Sequence, residues 1–390
     1  MDFQFTAEQE RLRKEVDDFL EEEIRQGTFQ TVPDAWITQR SEEFTRKVGQ
    51  RGWIGMTWPK EYGGQGRSYL DRLIVTEEML RYGAPTGYYW GGDRQMGPAI
   101  IAYGSEEQRK EFLPKIIKGE VTFAIGMSEP ETGSDLAALS TRAMAEGDEY
   151  VLNGQKVWTS GASYADCLYL VARTNPNVPK HKGISEFIVD LKAPGIQIRT
   201  LESMTGAREW TEVFFTDVRV PKTCLVGKVD QGWYQIASQL DYERAGIERL
   251  MSNYPLFEAI LNYAAETKFD GKRLIEEPSV RHKLSDLIIK FEVGRLLIYR
   301  VAWILTQGKI PNVEAAMAKA FGTKFEQELA DVATLICGPY GQLMQGSKWV
   351  PLDGWASSSY LWAPAYSVQG GTTEILKTVL AQRGLGLPRG

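Results

Sequence analysis

The sequence predicts a multidomain α+β protein in which a compact β domain lies between two helical domains. Three observations lead to this prediction. Both ends of the chain repeat apolar residues at helical spacing, the centre alternates short apolar runs with turn residues, and 390 residues exceed the usual size of one domain. We predict an N-terminal helical domain over residues 1–120, a β barrel or sandwich over 121–228, and a C-terminal four-helix bundle over 229–390.

The first domain carries clear helix signals. Thr6 with Gln9 forms a capping box ahead of an amphipathic run. Serines, prolines and glycines mark the ends of the helices that follow. The predicted helices cover residues 6–24, 41–52, 69–82, 93–103 and 104–120.

The middle of the chain changes to short apolar runs separated by turn residues such as Asn153-Gly154. These runs predict strands rather than helices. They cover residues 122–126, 141–145, 149–153, 167–173, 184–190, 196–202 and 210–220.

Helical periodicity returns after Gln231. Long predicted helices cover residues 231–265, 278–307, 312–338 and 373–382, as a four-helix bundle requires. Pro255 falls inside the first of these helices, and proline removes a backbone donor there. We expect an interruption near Asn253.

Composition excludes several classes of function. The chain is 43% hydrophobic and 25% charged, and it lacks a run of about 18 apolar residues, so we predict no membrane span. A net charge of −6 is unfavourable for a nucleic-acid partner. The first residues carry neither a basic start nor an apolar signal core, so we expect a cytoplasmic protein.

Histidine and cysteine are scarce. The chain has two histidines and three scattered cysteines, without the spacing of metal ligands or of a disulfide framework. We therefore predict no metal site, and we expect proton chemistry to depend on carboxylates or a cofactor.

Two neighbouring stretches, residues 123–137 and 153–162, combine glycines, hydroxyl groups and Trp158. Glycines let a backbone approach a ligand closely, hydroxyls donate hydrogen bonds, and an indole offers a flat face. A planar, hydrogen-bonding cofactor suits this combination. The residue types alone also fit a plainer alternative, in which both stretches are turns and Trp158 is a core residue.

Glu243 interrupts an apolar pattern on the helix after Gln231. Ile236, Leu240, Ile247 and Leu250 step by four, seven and three residues, and Glu243 occupies the missing position. Burial would disfavour the ionised carboxylate and raise its pKa, as a base acting near neutral pH requires. The alternative is a salt-bridged glutamate at the edge of the pattern.

Four stretches together resemble the acyl-CoA dehydrogenase family. Residues 128–135 read Ser-Glu-Pro-x-x-Gly-Ser-Asp and residues 153–158 read Asn-Gly-x-Lys-x-Trp, which is similar to the flavin-binding signature of that family. Residues 59–66, Pro-x-x-Tyr-Gly-Gly-x-Gly, resemble a turn-rich segment of the same family. Residues 217–227 resemble the segment in which the family's β domain ends. The resemblance spans essentially the full chain and implies an acyl-CoA dehydrogenase-like fold with FAD as cofactor.

The resemblance implies α,β-dehydrogenation of an acyl-CoA thioester. Some family members carry the base in a Tyr-Glu-Gly-Thr stretch near the C-terminus, whereas others carry it in a Glu-Arg pair on the earlier helix. Gly370 occupies the C-terminal position here and Glu243-Arg244 matches the alternative, so we predict Glu243 as the base. The backbone amide of Gly370 would hydrogen-bond the thioester carbonyl, and Glu374 is a weaker candidate base.

The resemblance also assigns binding residues. Ser160 would face the flavin N5, Trp158 would pack on its rings, and Ser134 would lie toward CoA. The predicted cofactor contacts are Met127, Ser128, Gly133, Ser134, Trp158, Ser160, Lys268 and Thr372. The predicted substrate contacts are Ser134, Tyr88, Tyr89, Trp90, Asp241 and Arg244. The three consecutive aromatics suggest a flat or bulky acyl group, branched, cyclic or dicarboxylic, although packing between helices is an alternative role for them.

Two departures from the family concern the adenosine end of the flavin. Lys268 stands near the place of the usual arginine, and residues 335–341 replace the family's Gln-x-x-Gly-Gly-x-Gly. A lysine supplies a point charge rather than a bidentate fork. A non-catalytic or half-catalytic subunit of a heteromeric enzyme is therefore an alternative, and an acyl-CoA oxidase is a third. The family implies a homotetramer, with a heterotetramer as the other arrangement, and an electron-transfer flavoprotein as acceptor.

Overall fold

A computed structural model describes residues 4–244 and 246–388, without the side chains of residues 238 and 240–244. The chain forms two compact units. The first, here called the helical unit, comprises Met1–Gln39, Ser68–Pro85 and Arg244–Gly390. The second, here called the sheet unit, comprises Arg40–Arg67 and Thr86–Glu243. The predicted domain boundaries after residues 120 and 228 stay predictions.

The described helices follow the predicted order. They are α1 (Ala7–Arg25), α2 (Ala35–Thr38), α3 (Glu42–Gln50), α4 (Tyr69–Arg81), α5 (Gly97–Tyr103), α6 (Glu106–Ile117), α7 (Gly232–Arg244), α8 (Glu248–Met251), α9 (Tyr254–Glu266), α10 (Pro278–Thr306), α11 (Asn312–Ile336), α12 (Trp355–Trp362), α13 (Pro364–Val368) and α14 (Thr373–Val379). A π-helical turn, Gly92–Met96, precedes α5.

The described strands lie mostly in the centre of the chain. They are β1 (Phe123–Gly126), β2 (Arg142–Glu146), β3 (Glu149–Lys156), β4 (Cys167–Arg173), β5 (Ile184–Asp190), β6 (Ile196–Leu201), β7 (Trp210–Pro221), β8 (Leu225–Val226), β9 (Lys268–Phe269) and β10 (Lys272–Arg273).

Reciprocal side-chain caps begin three of the N-terminal helices. The Thr6 hydroxyl accepts from the amide of Gln9, whose side chain accepts from the Thr6 amide in return. Ser68 begins α4 and Ser105 begins α6 in the same way. The predicted capping box at Thr6 is confirmed, because each pair satisfies amides that the helix itself leaves without a partner.

Within the sheet unit, eight of the described strands form one sheet in the order β6-β7-β3-β2-β4-β5-β8, with β1 beside β4. The long pairings β3–β7, β4–β5 and β6–β7 are antiparallel, and β1 runs parallel to β4. The buried face packs alternate residues of these strands together, with the rings of Tyr150 and Phe187 edge to face at 5.0 Å. The sheet therefore provides a rigid frame for the loops at its edge.

The helical unit packs α10 against α11, with α9 beside them. Phe257, Phe291 and Phe325 meet at this junction, at ring separations between 5.2 and 5.9 Å. All three rings are buried, and such packing rather than intrinsic propensity supplies most of the stability of helices of this length.

The predicted helix over residues 231–265 is interrupted twice. Asn253 precedes α9 and Pro255 lies in its first turn, so the predicted interruption there is confirmed. The prediction missed the earlier one, since α7 ends at Arg244 and α8 begins at Glu248. Ile247 and Leu250 therefore do not continue the face of α7 that carries Ile236. In the described part of the chain, no helix combines the length and the apolar character needed to cross a membrane.

Candidate functional site

A turn at the edge of the sheet is tied to the end of β3. The amide of Val157 donates to the carbonyl oxygen of Ser128 at 2.9 Å. Lys156 Nζ donates to the carbonyl oxygen of Met127 and to Glu129 Oε1, both at 2.9 Å. The loop after β1, which holds the predicted cofactor contacts Met127 and Ser128, is thereby fixed to the strand that leads into Trp158.

Glu129 is the anchor of this turn. Its carboxylate also accepts from the amide of Ser140 at 2.7 Å, the hydroxyl of Ser140 at 2.7 Å and the amide of Thr141 at 2.9 Å. Burial alone would raise the pKa of Glu129, but the charge of Lys156 and these hydrogen bonds outweigh burial and lower it to about 2. The buried pair is therefore ionised at neutral pH.

Trp158 presents its ring to solvent. Its backbone has a φ of 59°, in the left-handed region, and its side chain is 59% exposed. Its neighbour Thr159 is buried and held by Thr211, which accepts from its amide at 3.0 Å and donates a hydroxyl to its carbonyl oxygen at 2.7 Å. Trp158 is therefore not a core residue, because the fixed turn directs its indole outward.

The residues of the two stretches 128–134 and 158–160 fit a flavin. Among the described residues, the buried hydroxyls of Thr132 and Thr159 have no hydrogen-bond partner. Gly133 borders open space and Ser134 is exposed. The exposed indole face, two hydroxyls without partners and an open glycine suit a flat ring with polar edges.

The predicted aromatic triplet belongs to the sheet unit and is largely buried. Tyr89 and Trp90 are buried, and Tyr88 is partly buried. The hydroxyl of Thr122 donates to the carbonyl oxygen of Tyr88 at 2.5 Å, which ties the triplet to the start of β1. This burial agrees with the packing role, and contact of the three side chains with an acyl group stays a prediction.

Helix α7 is anchored to the sheet through a buried carboxylate. Glu186 accepts from the Gln235 amide at 2.6 Å, from the Gln239 amide at 2.9 Å and from the Tyr169 hydroxyl at 3.0 Å. Burial raises the pKa of Glu186 to about 7. Glu243 lies one helical turn after Gln239, so this anchor holds the helix that carries the predicted base.

Three predicted residues of α7 cannot be placed further. The side chains of Asp241, Glu243 and Arg244 lie outside the described residues, although their backbone is helical. Their roles stay predictions.

In the helical unit, Gly370 lies in a glycine turn between α13 and α14. Gly370 has a φ of 65° and Gly371 a φ of 92°, both left-handed. Lys319 Nζ, from α11, donates to the carbonyl oxygen of Gln369 at 2.6 Å and to that of Gly371. Thr372 follows as the cap of α14, and its hydroxyl accepts from the amide of Ile375.

Two other predicted residues are exposed. Glu374 lies in the first turn of α14, where hydrogen bonds from its own backbone amide and from Thr372 lower its pKa. A lowered pKa makes a carboxylate a weaker base, which is unfavourable for Glu374, and Glu243 as the base stays a prediction. Lys268 is exposed at the start of the β9–β10 hairpin, whose turn is Asp270-Gly271.

Sequence reasoning missed the buried charged residues. Glu129, Glu186 and Lys319 are all fully or almost fully buried. Lys319 could have been found by the argument used for Glu243, since it interrupts a run of small apolar residues on α11. Within the described residues, no group of three or more histidine, cysteine or acidic side chains could hold a metal ion.

Comparison with known proteins gives three family matches along the chain. Models of the acyl-CoA dehydrogenase N-terminal, middle and C-terminal domains match residues 6–120, 124–218 and 230–385. The resemblance that the sequence motifs indicated is confirmed, and with it the order of helical, β-rich and helical domains.

Similar proteins extend over the full chain. Acyl-CoA dehydrogenase FadE26 of Mycobacterium tuberculosis is 35% identical, and the match covers 100% of this chain and 99% of the relative. The solved structure of the Tcur3481-Tcur3483 steroid ACAD is 34% identical with a TM-score of 0.89, covering 100% of both chains. The ChsE4-ChsE5 complex from Mycobacterium tuberculosis is 35% identical with a TM-score of 0.87, again covering 100% of both chains.

Proposed function

This chain belongs to the acyl-CoA dehydrogenase family, whose members are FAD-dependent enzymes, and from that premise we propose that it desaturates a ring-bearing or branched acyl-CoA thioester. The observation that carries the substrate class is the full-length match to a steroid ACAD. The predicted aromatic contact Tyr88 and a glycine at position 370 support it, since glycine leaves space that a glutamate would fill.

The chain supplies the proton chemistry and FAD supplies the acceptor for the β-hydride. Glu243 takes the α-proton of the thioester as the carbon–carbon double bond forms. The backbone amide of Gly370 donates a hydrogen bond to the thioester oxygen, where negative charge develops. Met127, Ser128, Trp158 and Ser160 would hold the flavin ring.

The test is anaerobic bleaching of the flavin absorbance by a panel of straight, branched and cyclic acyl-CoA thioesters. We expect the wild type to be bleached by ring-bearing or branched substrates. Glu243→Gln should retain flavin and lose this bleaching, whereas Glu374→Gln, the matched control, should bleach as the wild type does. Bleaching of the Glu243→Gln variant at the wild-type rate would show that Glu243 is not the base.

A second candidate is one subunit of a heteromeric enzyme. Lys268 in place of the family arginine supports it, because a lysine cannot form the bidentate contact with a pyrophosphate. Two of the solved structures similar to this chain carry two protein names each, Tcur3481-Tcur3483 and ChsE4-ChsE5. A chain that is colourless when expressed alone, and that gains flavin when coexpressed with a similar chain, would favour this candidate over a homotetramer.

Assembly into an oligomer has support on α10. Ile289, Val293, Leu296 and Trp303 recur on one side of this helix and are all more than a third exposed. Such an apolar stripe favours burial against another chain.

An electron-transfer flavoprotein is the proposed acceptor, with the cytoplasm as the proposed location. Slow peroxide formation in air, together with rapid reoxidation by an electron-transfer flavoprotein, is expected. Rapid peroxide formation during turnover would indicate an acyl-CoA oxidase instead.

A further inference from the structure

Lys319 holds the turn that carries Gly370. It lies in α11 and is fully buried. Its ammonium group donates to the carbonyl oxygens on both sides of Gly370, those of Gln369 and Gly371. One side chain from α11 therefore holds the backbone on both sides of Gly370.

These contacts determine where the amide of Gly370 points. A trans peptide is planar, and its C=O and N–H groups point in opposite directions. The Gln369 carbonyl is directed at Lys319 Nζ at 2.6 Å, so the Gly370 N–H of the same peptide is directed away from α11. The left-handed backbone at Gly370 and Gly371 makes this arrangement possible, since other residues rarely adopt it.

Lys319 also affects how strongly that amide donates. A cation bonded to a carbonyl oxygen polarises the whole peptide and strengthens hydrogen bonding by its N–H group. Placing a lysine in the core is costly unless it is well hydrogen-bonded. The two hydrogen bonds to the glycine turn offset this cost, so the role of Lys319 goes beyond packing.

The rest of the turn is held separately from Lys319. Gln327 donates to the carbonyl oxygen of Ala363 at 3.2 Å and to the hydroxyl of Ser367 at 3.1 Å, which fixes α13 on α11. The Thr372 hydroxyl caps α14. Both ends of the segment are thus anchored independently of the two hydrogen bonds that Lys319 makes with residues 369 and 371.

We propose that Lys319 is a positioning residue that aims and polarises the Gly370 amide as the donor to the thioester oxygen. This inference rests on the proposed dehydrogenase function. It adds a residue that touches neither substrate nor flavin and acts through the backbone of the turn.

The test compares Lys319→Met and Lys319→Gln with Lys324→Met, the matched control at an exposed position of the same helix. Losing one oxyanion donor altogether costs about 10²–10³ in rate. The Lys319 variants keep the Gly370 amide but no longer aim it, so we expect flavin reduction by substrate to be about 10- to 100-fold slower. The dissociation constant for acyl-CoA should change much less. Lys324→Met should match the wild type.

An infrared spectrum separates positioning from a structural role. The 2-enoyl-CoA product, ¹³C-labelled at its carbonyl and bound to the oxidised flavoprotein, undergoes no turnover, and hydrogen bonding lowers its carbonyl stretching frequency. We expect this frequency to move toward that of the free thioester in the Lys319 variants. Wild-type frequency and rate in a folded, flavin-containing Lys319→Met or Lys319→Gln variant would overturn the proposal.

Lys319→Arg covers the case in which both neutral variants fail to fold. It keeps the cation in the core but places planar donors differently. A folded Arg variant with slower reduction and a shifted carbonyl frequency supports the proposal. Wild-type values in it would show that the placement of the donors at position 319 does not set the direction of the Gly370 amide, and would overturn the positioning role. A wild type that no acyl-CoA bleaches would overturn the dehydrogenase function as well, which distinguishes that failure from failure of the Lys319 role.

Discussion

Lys156 and Glu129 form a buried ion pair, with 2.9 Å between Nζ and Oε1, directly beneath the turn that holds the predicted flavin contacts. Both side chains are almost completely inaccessible to solvent. The pair joins the end of β3 to the loop after β1, and Lys156 reaches the carbonyl oxygen of Met127 as well. The edge that carries the predicted flavin contacts is therefore held in part by one charged contact in the core.

Lys156→Met is expected to destabilise the protein strongly. It leaves the Glu129 carboxylate buried without its cation, and breaking a buried pair in this way costs about 3–5 kcal/mol. Urea unfolding measures the loss. Lys180→Met is the control, since Lys180 pairs with Asp135 on the surface, where such a pair contributes little. Equal, small effects of both substitutions would show that the buried pair does not anchor the turn.

Glu186 predicts a specific pH dependence. Burial raises its pKa in the folded protein to about 7, above the ordinary value of 4.5. The folded state therefore holds this proton more tightly than the unfolded chain, and the contribution of Glu186 to stability is fully present below about pH 4.5 and is lost as pH rises toward 7. The free energy of unfolding should fall by on the order of 3 kcal/mol across this window.

The comparison with Glu186→Gln isolates that contribution. Asp34, in the helical unit, also has a pKa raised by burial to about 7, so the wild-type curve contains more than one such group. The difference between wild type and variant, measured by urea unfolding from below pH 4.5 to above pH 7, subtracts the contributions of the titrating groups that both proteins share. A pH-independent difference would contradict the role assigned to Glu186.

Local signals in the sequence predicted much of the fold. The limits of β4 and β5 were predicted correctly because turn residues bound each apolar run. The helix starts at Ser41 and Ser105 were predicted for a similar reason, since a serine cap depends only on the next few residues. The motifs around Ser128 and Trp158 were found in the same way.

Contacts between distant residues could not be predicted. Lys319 and Gln369 are 50 residues apart, and Lys156 and Glu129 are 27 apart. Nothing in either sequence neighbourhood specifies the partner. Helix α12, which has three consecutive serines, was also missed, because serine hydrogen-bonds to nearby backbone and weakens the helical signal.

Trp158 is expected to contribute to flavin binding rather than to stability. The residue is 59% exposed, and its ring contacts that of Trp210 edge to face at 5.7 Å. An aromatic contact contributes about 0.5–1.5 kcal/mol beyond area burial, so Trp158→Ala should weaken FAD binding by about 2- to 13-fold through this contact alone. Trp158→Phe should retain most of the affinity. Titration of the apoprotein with FAD measures both, and equal affinities for wild type and Trp158→Ala would exclude stacking on this indole.

The apolar stripe on α10 predicts an interface between chains. A glutamate at Ile289 or Val293 would place a charge where apolar side chains are buried in the oligomer, and desolvating an unpaired carboxylate is costly. We expect Ile289→Glu and Val293→Glu to dissociate the oligomer, with little effect on the fold because both positions are exposed in the single chain. Light scattering after size-exclusion chromatography gives the mass.

The control for this interface is Lys283→Glu, which adds negative charge to the same helix at an exposed position off the stripe. It should leave the mass of the oligomer unchanged, because its side chain does not share the face of Ile289 and Val293. If all three variants keep the wild-type mass, α10 is not the interface. If the wild type is itself a monomer, the stripe does not join copies of this chain, which is the result expected of one subunit of a heteromeric enzyme.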